Sequence, residues 1–250
     1  MTPLSMRLPI NMLAQPDEIT CGPTCLHSMY RYWGDDQTLA AVIDRTGRLE
    51  HGGTLAVFLA CDALRRGYRA TIYTYNLMVF DPTWFVKPGV DIAERLRAQQ
   101  AIKMDYRLQH ATTGYLEFLE RGGRLRLFDL TPSLIQSILR RKTPIITGVS
   151  STYLYRIARE YGPDDVPDDI RGNPSGHFVV IAGYDRSKHE ALVMDPYGAN
   201  PYGSAEEHST HEYSIGFDRL IGAILLGIVT HDANLLVIRP EPLQRGDGDE

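Results

Sequence analysis

Residues 15–25 read QPDEITCGPTC and contain the feature on which the fold depends, a cysteine at the start of a helix. Apolar residues follow Cys21 at helical spacing as far as Trp33. Pro23 suits the first turn, where its missing N–H costs nothing, and Gly34 suits the end. The pattern predicts a helix that begins at Cys21, ends near Gly34 and buries one stripe.

The position of Cys21 favours a chemical role for its thiol. The unpaired N–H groups and the macrodipole at the start of a helix favour an anion, so we expect this thiol to ionise more readily than a free one. Gln15 lies six residues upstream, near enough for its side-chain amide to fold back beside the sulfur. With a backbone N–H near Cys21 it could bind a developing oxyanion.

A nucleophilic cysteine also needs a base, and the last third of the chain supplies one. Residues 177–184 (HFVVIAGY) and 190–195 (EALVMD) flank a polar turn at 185–188, a pattern typical of a β-hairpin. Pairing these strands places His177 and Asp195 near each other at the open end. The carboxylate of Asp195 could then hold the imidazole in the tautomer that faces the sulfur.

The remaining periodicities predict an α+β fold with N-terminal helices packed on a C-terminal antiparallel sheet. Thr54 is expected to cap the third helix, over 54–66. Residues 224–230 and 235–239 are expected to form a second hairpin, with 212–222 as a connecting helix. The other predicted helices cover 36–46, 91–103, 111–121 and 132–141, and the other predicted strands cover 69–76, 124–129 and 144–149.

The composition limits the class of protein. The chain has 250 residues, is 43% hydrophobic and 23% charged, and carries a formal charge of −5. These values exclude collagen-like, coiled-coil and largely disordered chains, and the absence of a basic stripe argues against nucleic acid as a partner. We expect one domain over 1–240 and a flexible tail over 241–250.

The cellular compartment of the protein is predicted from the length of its apolar runs and the number of its cysteines. No apolar run approaches the roughly 18–20 residues that cross a bilayer, and the N-terminus lacks the apolar core of a signal peptide. Three cysteines, an odd number, cannot form a complete disulfide framework. The expected compartment is therefore a reducing cytoplasm, and the sequence does not predict an oligomeric state.

The motifs resemble those of a known family. The order of Cys21, then His177, then Asp195 matches that of papain-like enzymes. Gln15 with the run Cys21-Gly22-Pro23, the run that begins Gly176-His177, and the pair Asp195-Pro196 look like the C39-type cysteine peptidases. These are papain-like domains best known as the part of bacterial bacteriocin exporters that cleaves leader peptides after a double glycine. The resemblance runs from about residue 10 to residue 240.

The resemblance implies a papain-like cysteine peptidase fold and a role for each of four residues. Cys21 would be the nucleophile, His177 the base, Asp195 the orienting acid and Gln15 the oxyanion-hole residue. The chain has neither a membrane region nor a nucleotide-binding motif, so it resembles a stand-alone member. Double-glycine specificity cannot be carried over, because two segments are longer than a minimal domain of this kind needs and are interpreted as insertions, 77–123 and 154–175.

The expected reaction is acyl transfer through a thioester, with no cofactor and no metal. With water as acceptor the protein is a peptidase or amidase acting on a peptide, amide or ester; with an amine it is a transpeptidase or amide-forming acyltransferase. A non-catalytic peptide-binding module and a redox protein that uses Cys21 and Cys25 are the alternatives. A metal site of Cys21, Cys25 and His27 is disfavoured, because their spacing cannot place all three on one side of a helix.

Residues 163–170 form an acidic loop shortly before His177. The loop contains Asp164, Asp165, Asp168 and Asp169. One interpretation is a lid that selects a cationic or amine-bearing substrate, and the other is an ordinary solvated loop.

Overall fold

A computed structural model of the chain describes residues 3–47, 53–202, 211–230 and 232–241. The strands are β1 (Ser5–Arg7), β2 (Tyr68–Thr74), β3 (Arg124–Arg126), β4 (Ile145–Ser150), β5 (Glu160–Tyr161), β6 (Val166–Pro167), β7 (Gly176–Asp185), β8 (Glu190–Met194), β9 (Glu212–Gly216) and β10 (Asn234–Pro240). The α-helices are α1 (Cys21–Tyr32), α2 (Leu39–Arg45), α3 (Ala56–Arg65), α4 (Thr83–Val86), α5 (Ile92–Gln100), α6 (Tyr106–Glu120), α7 (Pro132–Leu139), α8 (Ser151–Tyr155) and α9 (Phe217–Leu226), and Gly227–Thr230 is a 3₁₀-helix.

Seven strands form the main sheet in the order β3-β2-β10-β4-β7-β8-β9, and β1 pairs with β7 as the eighth. All pairs in this sheet are antiparallel except β2 with β3, which run parallel. The predicted α+β class is confirmed, with one difference. The sheet is not purely C-terminal, because the early strands β1 and β2 pair with the late strands β7 and β10.

The predicted start of α1 is confirmed at Cys21, and Gly34 adopts a left-handed φ of 80° just after its end. The prediction that Thr54 caps α3 is wrong. Leu55 precedes the helix without a side-chain cap, and the Thr54 hydroxyl instead donates to the Gly47 carbonyl at 2.6 Å. A hydroxyl near a helix start therefore need not face that helix.

The second predicted hairpin, over 224–230 and 235–239, is wrong. Residues 212–216 form strand β9 rather than a helix, and the apolar run over 220–229 continues α9 into the 3₁₀-helix. Strand β10 lies between β2 and β4. A run of uniformly apolar residues has no period that distinguishes a strand from a buried helix, and only its packing decides.

The close packing of α1 against β7 brings the two halves of the chain together. At Gly22 an added Cβ would lie 2.5 Å from Thr54 Cγ2 and 3.2 Å from the Phe178 ring. Glycine is therefore required at this approach, which sets the start of α1 beside the start of β7. Among the described residues, no helix has the length and apolar character needed to cross a membrane.

The single domain over 1–240 and its insertions remain predictions. The segment 77–123 folds as α4, α5 and α6, and the segment 154–175 carries the small β5–β6 hairpin. Most of the predicted tail, residues 242–250, lies outside the described residues.

Candidate active site

The start of α1 presents Cys21 at an uncapped helix terminus. The Thr20 side chain makes no capping bond to the helix and donates instead to the Asp17 carbonyl at 3.3 Å. The first turn carries no acidic residue, and the N–H groups of Cys21 and Gly22 have no intrahelical acceptor. The Cys21 side chain is buried, with 7% of the residue exposed. This terminus therefore favours a negative charge at the sulfur.

The hairpin of β7 and β8 brings His177 and Asp195 together. The strands pair antiparallel around the turn, and His177 Nε2 donates to Asp195 Oδ1 at 2.8 Å. The Cys21 side chain lines the same cavity as His177 and lies near enough to act electrostatically on the imidazole. Because Nε2 is engaged by Asp195, Nδ1 is the ring nitrogen available to Cys21. The structure thus places the histidine between the thiol and the carboxylate.

The electrostatic interaction between His177 and Asp195 favours a protonated, positively charged imidazolium. Burial by itself lowers the pKa of His177, but the Asp195 carboxylate and the Cys21 side chain outweigh it and raise the pKa to about 10. Burial likewise acts to raise the pKa of Asp195, and the charge and hydrogen bond of His177 bring it below its ordinary value. The site therefore holds a proton on His177 beside an ionised Asp195.

Four donors saturate the buried Asp195 carboxylate, which is 0% exposed. Oδ1 accepts from His177 and from the Tyr197 backbone N–H at 2.9 Å. Oδ2 accepts from the hydroxyls of Tyr155 at 2.5 Å and Tyr213 at 2.9 Å. Such a set fixes the carboxylate, and hence the imidazole, in one orientation.

The sequence did not reveal these tyrosines as site residues. Tyr155 lies 40 positions from Asp195 and Tyr213 lies 18, and no motif links them. Tyr197 alone carried a signal, since it follows the Asp195-Pro196 pair closely, and its ring lies edge-on to His177 at 6.3 Å. Burial and the Asp195 charge raise the pKa of both hydroxyls that contact Oδ2, so they stay protonated donors.

Gln15 lies beside His177 but does not face the sulfur in this structure. Its Nε2 donates to the Asp17 carbonyl at 2.9 Å, and its backbone N–H donates to Pro196 at 2.9 Å. The Oε1 atom is buried and has no hydrogen-bond partner. The backbone bond ties the Gln15 segment to the residue after Asp195, while one N–H of the amide remains available for a ligand.

Two cavities adjoin His177. The Cys21 cavity, of about 500 Å³, is lined by Cys21, Thr54, Val149 and Asp232 among others. The Gln15 cavity, of about 720 Å³, includes the side chains Gln15, Ser151, Tyr155, Tyr197, Glu18, Glu160, Asp164 and Asp165. Glu18, Gly176 and His177 line both, so the two cavities form the halves of one cleft on either side of the imidazole.

Asp232 is a second buried carboxylate in the cleft. It accepts from the Ala56 backbone N–H at 2.8 Å, at the start of α3, and from Asn234 Nδ2 at 2.6 Å. Burial raises its pKa to about 7. These bonds tie the start of α3 to the segment before β10, so Asp232 supports the wall of the Cys21 cavity.

The sequence itself places the chain among known proteins. Residues 92–215 match the model of the Peptidase_C39 like family. Over this segment the chain is similar to the C39-like family. The matched segment contains His177 and Asp195 and begins after Cys21, while no curated protein matches the chain. It is C39-like over this segment, and it brings a cysteine at the start of a helix beside a histidine at the start of a strand.

Solved structures similar to the C39-like chain share little sequence with it. A C39-like peptidase from Bacillus anthracis is 11% identical to this chain. The alignment covers 94% of this chain and 98% of the peptidase, with a TM-score of 0.47. Xylellain, a cysteine protease from Xylella fastidiosa, is 11% identical over 96% and 87% of the two chains, with a TM-score of 0.44. A double glycine motif protease from an AMS/PCAT transporter, in complex with a leader peptide, is 13% identical over 94% of each chain, with a TM-score of 0.43.

The other cysteines of the C39-like chain lie in the core. The Cys25 thiol donates to the Phe178 carbonyl at 3.3 Å, and burial raises its pKa well above the ordinary value. Burial also raises the pKa of Cys61, to about 12. His27 Nε2 contacts the Gln37 carbonyl at 3.0 Å. These contacts argue against both the redox pair and the metal site, and among the described residues no group of three or more metal-ligating side chains comes together.

Proposed function

We propose that Cys21, His177, Asp195 and Gln15 cleave an amide bond of a peptide through a thioester on Cys21. One observation carries the proposal: the buried imidazole of His177 is hydrogen-bonded to Asp195 and lies in one cavity with the Cys21 thiol, which acts on it electrostatically. This is the geometry of a nucleophile, a base and an orienting group. All three cysteines are free, and a reducing compartment such as the cytoplasm suits this chemistry.

The first half of the reaction forms the thioester. His177 holds the proton taken from the thiol, and the Cys21 sulfur attacks the scissile carbonyl. The oxyanion receives hydrogen bonds from the N–H groups at the start of α1 and from the free amide N–H of Gln15, once Gln15 turns from Asp17. Collapse breaks the C–N bond, and His177 gives its proton to the leaving amine.

The second half depends on the acceptor. In hydrolysis His177 takes a proton from water, the hydroxide adds to the thioester, and the sulfur leaves to regain its proton. An amine in place of water gives an amide instead, by the same steps. Transfer to an amine is the second candidate, because the acidic lining of the Gln15 cavity would attract a cationic amine.

The pH dependence of iodoacetamide labelling at Cys21 tests the proposal. An ordinary thiol, with a pKa of about 8.5, is mostly protonated below pH 7 and alkylates slowly. The positively charged His177 stabilises the thiolate, so we expect Cys21 labelling to persist below pH 7. The acid-side labelling should fall in His177→Ala. Peptide mapping separates Cys21 from Cys25 and Cys61, whose raised pKa values keep them unreactive.

Ordinary thiol behaviour at Cys21, unchanged by His177→Ala, would contradict the proposal. It would favour a peptide-binding module, which predicts equal peptide affinity in wild type and Cys21→Ala and no turnover.

The acidic loop contributes to the lining of the Gln15 cavity. Asp164 and Asp165 lie there with Glu18 and Glu160, and no lysine or arginine lines the described cavity. The charges of Asp165 and Glu18 add to burial in raising the pKa of Glu160. We therefore propose that the amine side of the scissile bond, or the amine acceptor, carries positive charge.

Neutralising the lining carboxylates tests this preference. For a peptide with lysine on the amine side of the bond, we expect Asp164→Asn/Asp165→Asn to raise KM by about threefold to tenfold, because two attractions are lost. The matched control is Asp44→Asn/Asp169→Asn, which removes the same charge from exposed positions outside the cavity. Equal KM values for the two variants would rule out the acidic lining as a determinant.

A further inference from the structure

A third cavity gathers arginines on the sheet, away from the cleft. It encloses about 620 Å³ and shares no lining residue with the Cys21 or Gln15 cavity. Its lining includes one carboxylate, Glu241, and six arginines, which are Arg69, Arg121, Arg124, Arg126, Arg141 and Arg239. We call it the arginine cavity.

Strand register explains how distant arginines meet. Arg239 of β10 lies directly opposite Arg69 of β2, and on the other side of β2, Arg124 and Arg126 of β3 pair with Thr71 and Tyr73. Alternate residues of a strand share one face, so these side chains project together while Ala70, Ile72 and Leu125 face the core. The four arginines come from three separate stretches of sequence.

The positive charge of this face is only partly neutralised. Arg69 pairs with Glu241, which also lies near Arg124, and Arg121 pairs with Glu117 at 2.7 Å. Within 3–47, 53–202, 211–230 and 232–241, no carboxylate forms an ion pair with the four arginines Arg124, Arg126, Arg141 and Arg239.

Concentrating like charges in this way is unfavourable by itself. Arg239 donates to the Thr143 hydroxyl at 2.9 Å, and burial together with the charge of Arg141 lowers its pKa. Like charges directly opposite on paired strands destabilise a sheet, and the chain as a whole is acidic, with a charge of −5. A bound anion would offset this repulsion.

We propose that the arginine cavity binds an anion with two or more linked phosphate groups, either as a nucleotide or as inorganic polyphosphate. Guanidinium groups bind phosphate oxygens through paired hydrogen bonds, and several arginines can engage successive phosphates. The volume lies in the usual range for a small ligand. Tyr73 lines the cavity and its ring lies 6.0 Å from that of the exposed Phe128, which offers a surface for a base.

Calorimetric titration of the full chain tests the site without any need for peptidase activity. The probes are ATP and inorganic triphosphate at one fixed salt concentration, with single phosphate, hexaglutamate and a short single-stranded RNA as comparisons. In Arg124→Gln/Arg126→Gln we expect the affinity for triphosphate to fall by at least about tenfold, because charge-assisted bonds are lost. Arg31→Gln/Arg186→Gln removes the same charge at exposed positions outside the cavity and should change the affinity less than twofold.

The two phosphate sources are distinguished by their relative affinities. Tighter binding of ATP supports a nucleotide, and equal binding supports polyphosphate. Absence of binding at millimolar probe, an equal loss in the control variant, or equally tight binding of hexaglutamate would overturn the proposal, as would tighter binding of a short single-stranded RNA. Circular dichroism checks that each variant is folded, and Arg141→Gln, after α7, gives a second variant outside the strands.

Discussion

Replacing Cys21 by serine should lower kcat/KM for peptide cleavage by about 10⁴-fold or more, because removing the nucleophile of such a unit leaves only binding and oxyanion stabilisation. The substitution is nearly isosteric at a side chain that lines a cavity. The melting temperature should therefore stay within about 2 °C of wild type. Quenched fluorescent peptides measure the rate, and mass spectrometry of the stopped reaction detects the thioester.

Cys25→Ser is the matched control for this experiment. Cys25 lies one helical turn after Cys21, is fully buried, and donates to the Phe178 carbonyl, a bond that a serine hydroxyl can keep. The activity of Cys25→Ser should remain within about threefold of wild type, because the Cys25 thiol takes no part in the reaction. Comparable losses in the two variants would indicate a shared redox or structural role and would contradict the assignment of Cys21 as nucleophile.

Replacing Asp195 by alanine should both inactivate and destabilise the protein. Four donors lose their acceptor at once, and a buried charge pair loses one partner. We expect the free energy of unfolding to fall by about 3–5 kcal/mol. The imidazole of His177 also loses its orientation, so kcat should fall by about 10³-fold or more. Urea unfolding and peptide kinetics measure the two effects.

Asp195→Asn separates orientation from charge. An amide oxygen can still accept from His177 and Tyr197, and the hydroxyls of Tyr155 and Tyr213 can rotate to accept from the amide nitrogen. We expect it to recover most of the stability, with kcat between wild type and Asp195→Ala. If Asp195→Asn is destabilised as much as Asp195→Ala, the hydrogen bonds do not account for the contribution of the carboxylate to stability.

The difference in the free energy of unfolding between wild type and Asp195→Ala, here called the stability gap, should depend on pH. The raised pKa of His177, to about 10, means that its contribution is fully present below about pH 6.5 and is lost as the pH rises through 10. The lowered pKa of Asp195 means that its contribution is lost as the pH falls below its ordinary value. The gap should therefore be largest near pH 5–7 and narrow towards pH 3 and pH 11.

The start of α1, the β7–β8 hairpin and the α+β class could all be predicted from local patterns in the sequence. Proline, glycine and spaced apolar residues fix where a helix begins and ends, and two apolar strands around a polar turn fix a hairpin. The proximity of His177 to Asp195 follows from that hairpin, since both flank its open end. Local chemistry was therefore enough to name the histidine and the carboxylate.

Other features depended on packing between distant segments. The place of β10 between β2 and β4, the helical state of 217–226, and the tyrosine hydroxyls on Asp195 have no local signal. The same is true of the arginine cavity, because its arginines are scattered in sequence and meet only through strand register. The sequence by itself determined which groups are candidates for the reaction, because the chemistry of a side chain is local. The tertiary structure decided which residues surround these groups and how their pKa values are shifted. Burial and long-range pairing depend on contacts between segments far apart in the chain.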